Sequence, residues 1–158
     1  MPISLPDLYD QPSHLLRRAQ QISIAVTGEA LRPHDVTPAQ FEIMLAIRAQ
    51  PGIDGAGLTN AVAFDRSTMA TALERLERKG MIERHSGPHD RRSKQVFLSP
   101  AGNQTILEAA SAYKAAQKRI LQGLARSEQW QLLTLMERLV SLNNDLSRAP
   151  LRTARSDQ

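Results

Sequence analysis

Side chains able to bind an anion are concentrated in one segment of the chain, between Arg66 and Lys94. The segment holds eight Lys or Arg and four Asp or Glu, whereas the whole chain holds 20 and 16, so the remaining residues sum to zero charge. Arginine binds phosphate and guanine through paired N–H groups, and small hydroxyl side chains allow close approach to a base edge. A net charge of +4 is ordinary by itself, so the position of the charge is what favours a nucleic acid partner.

The first half of this segment is predicted to be a helix, Arg66–Lys79, with Asp65 as its N-terminal cap and Gly80 at its end. On a helical wheel, Leu73, Leu76 and their apolar neighbours form one arc and polar side chains form the opposite arc. Hydroxyls at the start and arginines further along suit a helix that enters the DNA major groove. Solvated helices also have polar outer faces, so the wing that follows decides between the two interpretations. The residues predicted to contact DNA are Arg66, Ser67, Thr68, Thr71, Arg75 and Arg78.

A polar loop between two predicted strands supplies further cations. The strands are expected at Met81–His85 and Gln95–Leu98, with Ser86–Ser93 between them. An arginine presented by a hairpin can enter a narrow, electronegative minor groove, and we assign this role to Arg92. Asp90 would orient that arginine through a charge-assisted hydrogen bond. The loop also places Arg91, as a phosphate contact or a solvated side chain, and Lys94 among the predicted DNA-binding residues.

Helices are predicted on both sides of this unit. The first begins near Ser13, the second after Thr37, which forms a capping box with Gln40, and a short third helix lies around Gly55–Ala63. The apolar stripe of the first helix is Leu15, Ala19, Ile22, Val26 and Ala30. The inner face of the second helix is predicted to consist of Phe41, Met44, Leu45 and Ile47.

Two longer helices are predicted after the strands. Ser99 and the following proline start the first of them, Ser127 caps the second, and both carry apolar stripes. The fold class is therefore mainly α with a small β wing: a winged helix-turn-helix with flanking helices.

Composition excludes several other classes of protein. The chain has no cysteine, which removes disulfides, thiolate metal sites and cysteine-based peroxide sensing. Aromatic residues make up only 4%, so a base-stacking platform for single strands is not expected and duplex DNA is the favoured partner. No apolar run approaches the ~20 residues of a membrane span, and no signal-peptide pattern is present, so we expect a cytoplasmic protein.

Enzyme and metal motifs are also missing from the sequence. There is no glycine-rich phosphate loop, no Gly-x-Ser-x-Gly elbow and no His-Glu-x-x-His pair, so we expect neither an enzyme nor a cofactor. His85 and His89 are close in sequence but lack a carboxylate or thiolate set, so no metal site is expected.

Three segments resemble the MarR family of bacterial transcription regulators: DRSTMATALERLERKGMIER, the wing DRRSK, and VFLSPAG. The family pattern couples a Leu-Glu-x-x-Gly helix end to an Asp-x-Arg wing and a Leu-Ser/Thr-x-x-Gly helix start. The positions that fit the last two parts are Asp90, Arg92, Leu98, Ser99 and Gly102.

The resemblance implies a homodimer on a palindromic double-stranded DNA operator, in which the first and last helices of the two subunits interlock. It also implies a repressor that a ligand releases from DNA. The expected organisation is a dimerisation helix at 1–35, the winged helix-turn-helix lobe at 36–99, further dimerisation helices at 100–148 and a disordered tail at 149–158.

Many members of this family bind small aromatic carboxylates. Here His14, Arg17 and Arg18 could hold the carboxylate, and Phe41 and Met44 could lie against the ring. The alternative is a surface or dimer-interface pair of cations. The segment LYDQPSHLLRRAQQI is also similar to regulators of nicotinate breakdown, which respond to hydroxylated nicotinic acid, so we take such an acid as the expected effector.

The main rival to a ligand-responsive regulator is a winged-helix protein that coats chromosomes non-specifically or binds other proteins, without a ligand. Binding specificity separates the two, because a coating protein would bind random duplex almost as well as its own promoter.

Overall fold

The described helices and strands follow the order that the sequence predicts, with a short helix at Leu5–Tyr9 and a short strand at Ile53–Asp54 in addition. The computed structural model describes residues 4–86 and 94–152. In chain order the elements are α1 (Leu5–Tyr9), α2 (Pro12–Leu31), α3 (Pro38–Ala49), β1 (Ile53–Asp54), α4 (Gly55–Val62), α5 (Arg66–Arg78), β2 (Ile82–Ser86), β3 (Lys94–Leu98), α6 (Pro100–Ile120) and α7 (Arg126–Leu142). Single 3₁₀ turns follow α2 at Arg32–His34 and α7 at Asn144–Leu146.

The strands form one antiparallel sheet in the order β1-β3-β2. In the β2–β3 hairpin, Arg84 lies opposite Val96, and Ser86 lies opposite Lys94 at the base of the wing. The strand β1 adds only the pairs Ile53–Val96 and Asp54–Gln95. The sequence analysis does not predict β1, because two residues are too few to show an alternating pattern.

Local capping defines the helix pair α4 and α5. The Asp54 side chain accepts a hydrogen bond from the Gly57 backbone N–H at 2.8 Å at the start of α4. Ala63 has a left-handed backbone conformation with φ of 54°, which ends α4 and starts the turn. Asp65 caps α5, and Gly80, with φ of 68°, follows its end. Asp65 and Gly80 therefore have the roles that the sequence predicts.

The chain divides into two compact units, Met1–Pro38 with Ala109–Gln122 and Ala39–Glu108 with Gly123–Gln158. In the first unit Thr27 and Leu31 of α2 are buried, and the Arg119 side chain donates a hydrogen bond to Glu29 at 2.8 Å. The second unit contains the sheet and the α4–α5 pair. Its core includes the fully buried residues Phe41, Ile43, Met44, Ile47, Leu58, Leu76, Val96 and Ile106.

One predicted core position on α3 is wrong. Leu45 is 38% exposed, whereas Ile43 is fully buried. The buried arc of α3 is centred near Gln40 and Met44, so it extends to Ile43 on one side and stops at Phe41 on the other. Leu45 lies just outside this arc.

The predicted apolar stripe of α7 and the first half of the stripe of α2 are exposed in the single subunit. On α2, Leu15 is 55% exposed whereas Val26 is half-buried, and on α7, Leu135 and Leu142 are 63% and 75% exposed. The predicted start of α7 is also wrong: Ala125 is the N-cap, and Ser127 lies inside the helix. The reason is that the Glu128 carboxylate accepts a hydrogen bond from the Ala125 backbone N–H at 2.6 Å, which fixes the helix start two residues earlier.

Part of the predicted disordered tail is held in place. Ala149 is buried, and Leu151 exchanges hydrogen bonds of 2.8 and 3.1 Å with the side chain of Asn144. The Arg152 backbone N–H donates to the Asn60 carbonyl of α4 at 3.0 Å. Residues 149–152 of the predicted tail therefore contact the rest of the second unit, and residues 153–158 lie outside the described part of the chain. Among the described helices, none is long and apolar enough to cross a membrane.

Candidate nucleic-acid interface

The start of α5 is organised by one carboxylate. Oδ1 of Asp65 accepts the Thr68 backbone N–H at 2.9 Å and the Ser67 hydroxyl at 2.7 Å, while Oδ2 accepts the Thr68 hydroxyl at 3.0 Å. The Thr68 backbone hydrogen bond, followed by the two hydroxyls, lowers the pKa of Asp65 to about 2. Asp65 is therefore ionised at neutral pH, although it lies beside a surface predicted to approach DNA.

The two faces of α5 are separated as the sequence predicts. Met69, Leu73 and Leu76 are buried against the rest of the second unit. The opposite face is open to solvent and carries five of the helix residues predicted to contact DNA, namely Ser67, Thr68, Thr71, Arg75 and Arg78. The sixth, Arg66, is also exposed but lies at the first residue of the helix, nearer the side of Leu73. The individual contacts of these residues with DNA stay predictions.

The wing is joined to α5 by an ion pair that the sequence analysis does not predict. Arg84 of β2 donates from Nε to Oε2 of Glu77 at 2.8 Å, and its Nη2 contacts the same oxygen. The two residues lie on different elements, a helix and a strand, so the periodicity of neither element predicts the pair. Lys94, at the first residue of β3, donates to the Ser86 hydroxyl at 3.3 Å across the hairpin. The predicted wing residues Asp90, Arg91 and Arg92 lie outside the described residues.

A second junction joins the end of α5 to the start of α6. The Ser99 hydroxyl donates to the Gly80 carbonyl at 2.6 Å and accepts the Gly102 backbone N–H at 3.0 Å. A Cβ added at Gly102 would lie 2.0 Å from the Met81 carbonyl oxygen, so this position requires the absence of a side chain. The Leu-Ser-x-x-Gly motif therefore fixes where α5 ends relative to the strand that follows it.

The predicted ligand-binding residues lie in both units. On α2, Arg17 contacts His14 Nδ1 at 3.3 Å and Gln21 at 3.2 Å, and Arg18 is exposed. Because a guanidinium group has no acceptor, His14 Nδ1 must accept the hydrogen bond. The Tyr9 ring also lies edge-on to His14, with centroids 5.6 Å apart. The other two residues of the predicted site, Phe41 and Met44, are buried in the second unit.

A cavity of about 350 Å³ in the second unit shares no residue with this predicted site. It is lined by Asp54, Gly55, Ala56, Leu73, Arg84, Lys94 and Val96. Both cationic side chains in its lining already have partners, since Arg84 is paired with Glu77 and Lys94 donates to Ser86.

The wing histidine has a carboxylate partner but no metal-binding cluster. His85 lies 3.3 Å from Glu83, and its ring packs against Phe97 with centroids 5.5 Å apart. No group of three or more metal-ligating side chains occurs in residues 4–86 and 94–152. His89 falls outside these ranges.

Known proteins are similar to this chain in both sequence and architecture. A model of the MarR family matches residues 36–94, which run from the residue pair before α3 to the first residue of β3. Transcriptional regulator HosA of Escherichia coli O111:H- is 28% identical over 107 residues, covering 68% of this chain and 79% of HosA.

Two solved structures superpose on most of the chain. A probable transcriptional regulator from Pseudomonas aeruginosa is 31% identical, with a TM-score of 0.78 and coverage of 84% of this chain and 98% of that chain. BpsR of Bordetella bronchiseptica, whose DNA binding is regulated by 6-hydroxynicotinic acid, is 27% identical, with a TM-score of 0.79 and coverage of 88% and 97%.

The matched family segment includes the α4–α5 pair and its exposed polar face. The relatives named above are regulators of transcription or of DNA binding, and none is an enzyme. The chain therefore belongs to the MarR family of DNA-binding transcriptional regulators, with a mainly helical winged helix-turn-helix fold.

Proposed function

We propose that this protein is a homodimeric, sequence-specific repressor that leaves a palindromic operator when it binds a small aromatic carboxylate. The observation that carries the DNA-binding part is the exposed face of α5. The hydroxyls of Ser67 and Thr68 lie at the helix start, where a recognition helix approaches base edges, and Arg75 and Arg78 follow about two and three turns later. Neither arginine has an ion-pair partner among the described residues, so both guanidinium groups are available to DNA.

The homodimer is supported by the apolar side chains that the single subunit exposes. A patch of this size would be unfavourable in water, and it is typical of a surface that another protein covers. On α7 alone the exposed apolar residues are Trp130, Leu132, Leu133, Leu135, Met136, Leu139, Val140 and Leu142. A second copy, presenting the same face across a two-fold axis, is the partner that we propose for it.

The palindromic operator follows from this symmetry. Two α5 helices related by a two-fold axis would contact two equivalent half-sites, whose centres are separated by about one turn of DNA, roughly 34–36 Å. The two half-sites must therefore have inverted sequences.

The proposed effector is a hydroxylated nicotinic acid, for two reasons. BpsR, which the chain resembles over nearly its full length, responds to 6-hydroxynicotinic acid. The chain also presents two adjacent arginines, Arg17 and Arg18, on an exposed helix, and a guanidinium group binds a carboxylate in a bidentate manner. With Nδ1 accepting from Arg17, His14 carries its proton on Nε2, so it would donate a hydrogen bond to the ring substituent.

The test is fluorescence anisotropy of the purified protein on the DNA upstream of its own gene, with random duplex of equal length as competitor. We expect preferential binding to the upstream DNA and release by 6-hydroxynicotinate, with nicotinate and salicylate as comparison acids. Tight binding that no acid releases would keep the regulator and remove the effector. Equal binding to random DNA would favour the non-specific coating protein, and a monomer by light scattering would remove the dimer.

A further inference from the structure

The hydroxyl protons at the start of α5 are already in use within the protein. The hydroxyls of Ser67 and Thr68 lie 2.7 and 3.0 Å from separate oxygens of the Asp65 carboxylate. An ionised carboxylate can only accept hydrogen bonds, so each hydroxyl must be the donor. Each hydroxyl has a single proton, so its oxygen can offer only lone pairs to any other partner.

Lone pairs have few partners on duplex DNA. Phosphate oxygens only accept hydrogen bonds, as do O6 of guanine, O4 of thymine and N7 of both purines in the major groove. The donors in the major groove are the exocyclic amino groups, N6 of adenine and N4 of cytosine. A hydroxyl that can only accept is therefore limited to those two amino groups and cannot bind a phosphate.

We propose that Asp65 is a positioning residue for sequence recognition, which makes Ser67 and Thr68 acceptors and so directs the start of α5 to an amino group of adenine or cytosine. This inference rests on the proposed function as a sequence-specific DNA-binding protein. Asp65 itself does not contact the base, and it acts through the two hydroxyls that it orients.

Thr71 provides the internal comparison. It lies one turn further along the same exposed face, and within the described residues its hydroxyl has no hydrogen-bond partner. Thr71 can therefore donate to a base or a phosphate, or accept from an amino group. The exposed face of α5 thus carries two kinds of hydroxyl. Those of Ser67 and Thr68 donate their proton to Asp65, whereas that of Thr71 does not.

Asp65→Asn separates this role from the capping role. Asparagine is as good an N-cap as aspartate, so α5 should keep its start. The amide oxygen is expected at the Oδ1 position, where two donors converge, which puts the amide NH2 group at the Oδ2 position opposite the Thr68 hydroxyl. The Thr68 oxygen then accepts from the protein, and its proton turns outward as a donor.

The first measurement is selection of preferred sequences from a random duplex library by the wild-type protein and by Asp65→Asn. We expect adenine or cytosine for the wild type at the half-site position facing the start of α5. Where Thr68 makes this contact, Asp65→Asn should lose any preference for cytosine, which has no acceptor there, and should gain guanine or thymine, with adenine kept only through N7. The double variant Asp65→Asn, Thr68→Val should lose the new preference. In a protein that carries Thr71→Val, by contrast, adding Asp65→Asn should change the selected base in the same way as it does in the wild type. Thermal melting of every variant checks that the fold is intact.

The second measurement removes the DNA partner of the hydrogen bond. In the selected operator, the facing adenine is replaced by purine, or the facing cytosine by 2-pyrimidinone, each of which lacks only the amino group. The wild type should lose about five- to tenfold in affinity, the loss expected for one hydrogen bond. A variant lacking the contacting hydroxyl, Ser67→Ala or Thr68→Val, should show no further loss on the modified DNA.

The outcomes distinguish failure of the inference from failure of the proposed function. A wild type that selects a sequence, but whose affinity does not fall when the facing amino group is removed, would overturn the inference alone. Where the second measurement assigns the contact to Thr68, an unchanged sequence preference of Asp65→Asn would overturn it as well, whether or not its binding is uniformly weaker. A wild type without any sequence preference would overturn the proposed function and the inference together.

Discussion

Arg84 of β2 and Glu77 of α5 form an ion pair that joins the recognition helix to the base of the wing, with Arg84 Nε 2.8 Å from Glu77 Oε2. Both side chains are partly exposed, so the pair should add no more than about 1 kcal/mol to the stability of the fold. We expect its larger effect to be geometric, because in the proposed complex the wing and α5 contact neighbouring grooves of one duplex at the same time.

Glu77→Gln should therefore weaken operator binding even though it makes the protein more positive. Loss of the ion pair frees Arg84 and loosens the position of the wing, and we expect a loss of roughly threefold to tenfold, with a melting temperature almost unchanged. Anisotropy on the operator at matched salt is the measurement. Arg84→Ala is the companion variant, and stronger operator binding by Glu77→Gln would show that charge, not geometry, is the effect of Glu77.

Gly102→Ala should destabilise the protein by about 1–3 kcal/mol, as overpacking usually does. The new Cβ would lie 2.0 Å from the Met81 carbonyl oxygen, and a backbone atom cannot rotate away as a side chain could. Gly28→Ala is the matched control, because Gly28 lies inside α2 with no atom within 4 Å of the added Cβ, so this change should stabilise slightly. Chemical denaturation of both variants gives the comparison, and equal stability would contradict the close contact at Gly102.

Arg92→Ala should weaken operator binding while leaving the folded protein intact, because we assign Arg92 to the minor groove. The loss should be about 1–3 kcal/mol, and the affinity should depend less steeply on salt. Binding is measured by anisotropy over a range of salt concentrations, with Arg91→Ala as the neighbouring control. A dissociation constant for Arg92→Ala that matches the wild type at every salt concentration would remove this role.

Arg18→Ala should leave DNA affinity unchanged and raise the acid concentration needed for release by about tenfold or more, the loss expected when a charge-assisted hydrogen bond is removed. Arg18→Lys keeps the charge without the bidentate geometry, so its response should be intermediate. Titration of the protein–operator complex with 6-hydroxynicotinate measures both effects. Release of the Arg18→Ala complex at the wild-type concentration would place the acid elsewhere.

The hydrogen bonds to Asp65 should make stability depend on pH in the acid range. The pKa of Asp65 is lowered from 3.8 to about 2 in the folded protein, so the folded state favours the ionised form. This contribution is complete above the unfolded pKa of 3.8 and is lost as the pH falls through about 2. The melting temperature of the wild type should therefore fall relative to that of Asp65→Asn between pH 4 and 2. Parallel curves for the two proteins over that range would contradict the assignment.

The parts of the fold that the sequence predicts are those with a local signal. Asp65 and Gly80 mark the ends of α5 because a cap and a left-handed glycine act on the nearest turn, and the spacing of Leu73 and Leu76 indicates which side is buried. The same reasoning fails at Ser127, where two adjacent starts compete and the Glu128 carboxylate favours the earlier one.

The parts that the sequence does not predict depend on distant residues. The strand β1 exists because Ile53 and Asp54 meet β3 more than 40 residues later, and the Glu77–Arg84 pair needs the turn between a helix and a strand. Exposure of the apolar face of α7 is not visible in its periodicity either, because a face covered by its own chain and one covered by another protein have the same pattern.

The attachment of the C-terminal segment to α4 bears on how the protein should be handled. The Arg152 backbone N–H is bonded to the Asn60 carbonyl, so the segment after α7 lies against α4. A tag or fluorescent protein fused directly after Arg152 would therefore start beside the helix-turn-helix. A C-terminal fusion could then compete with DNA for space, and a tag at the opposite end of the chain is the better choice for binding measurements.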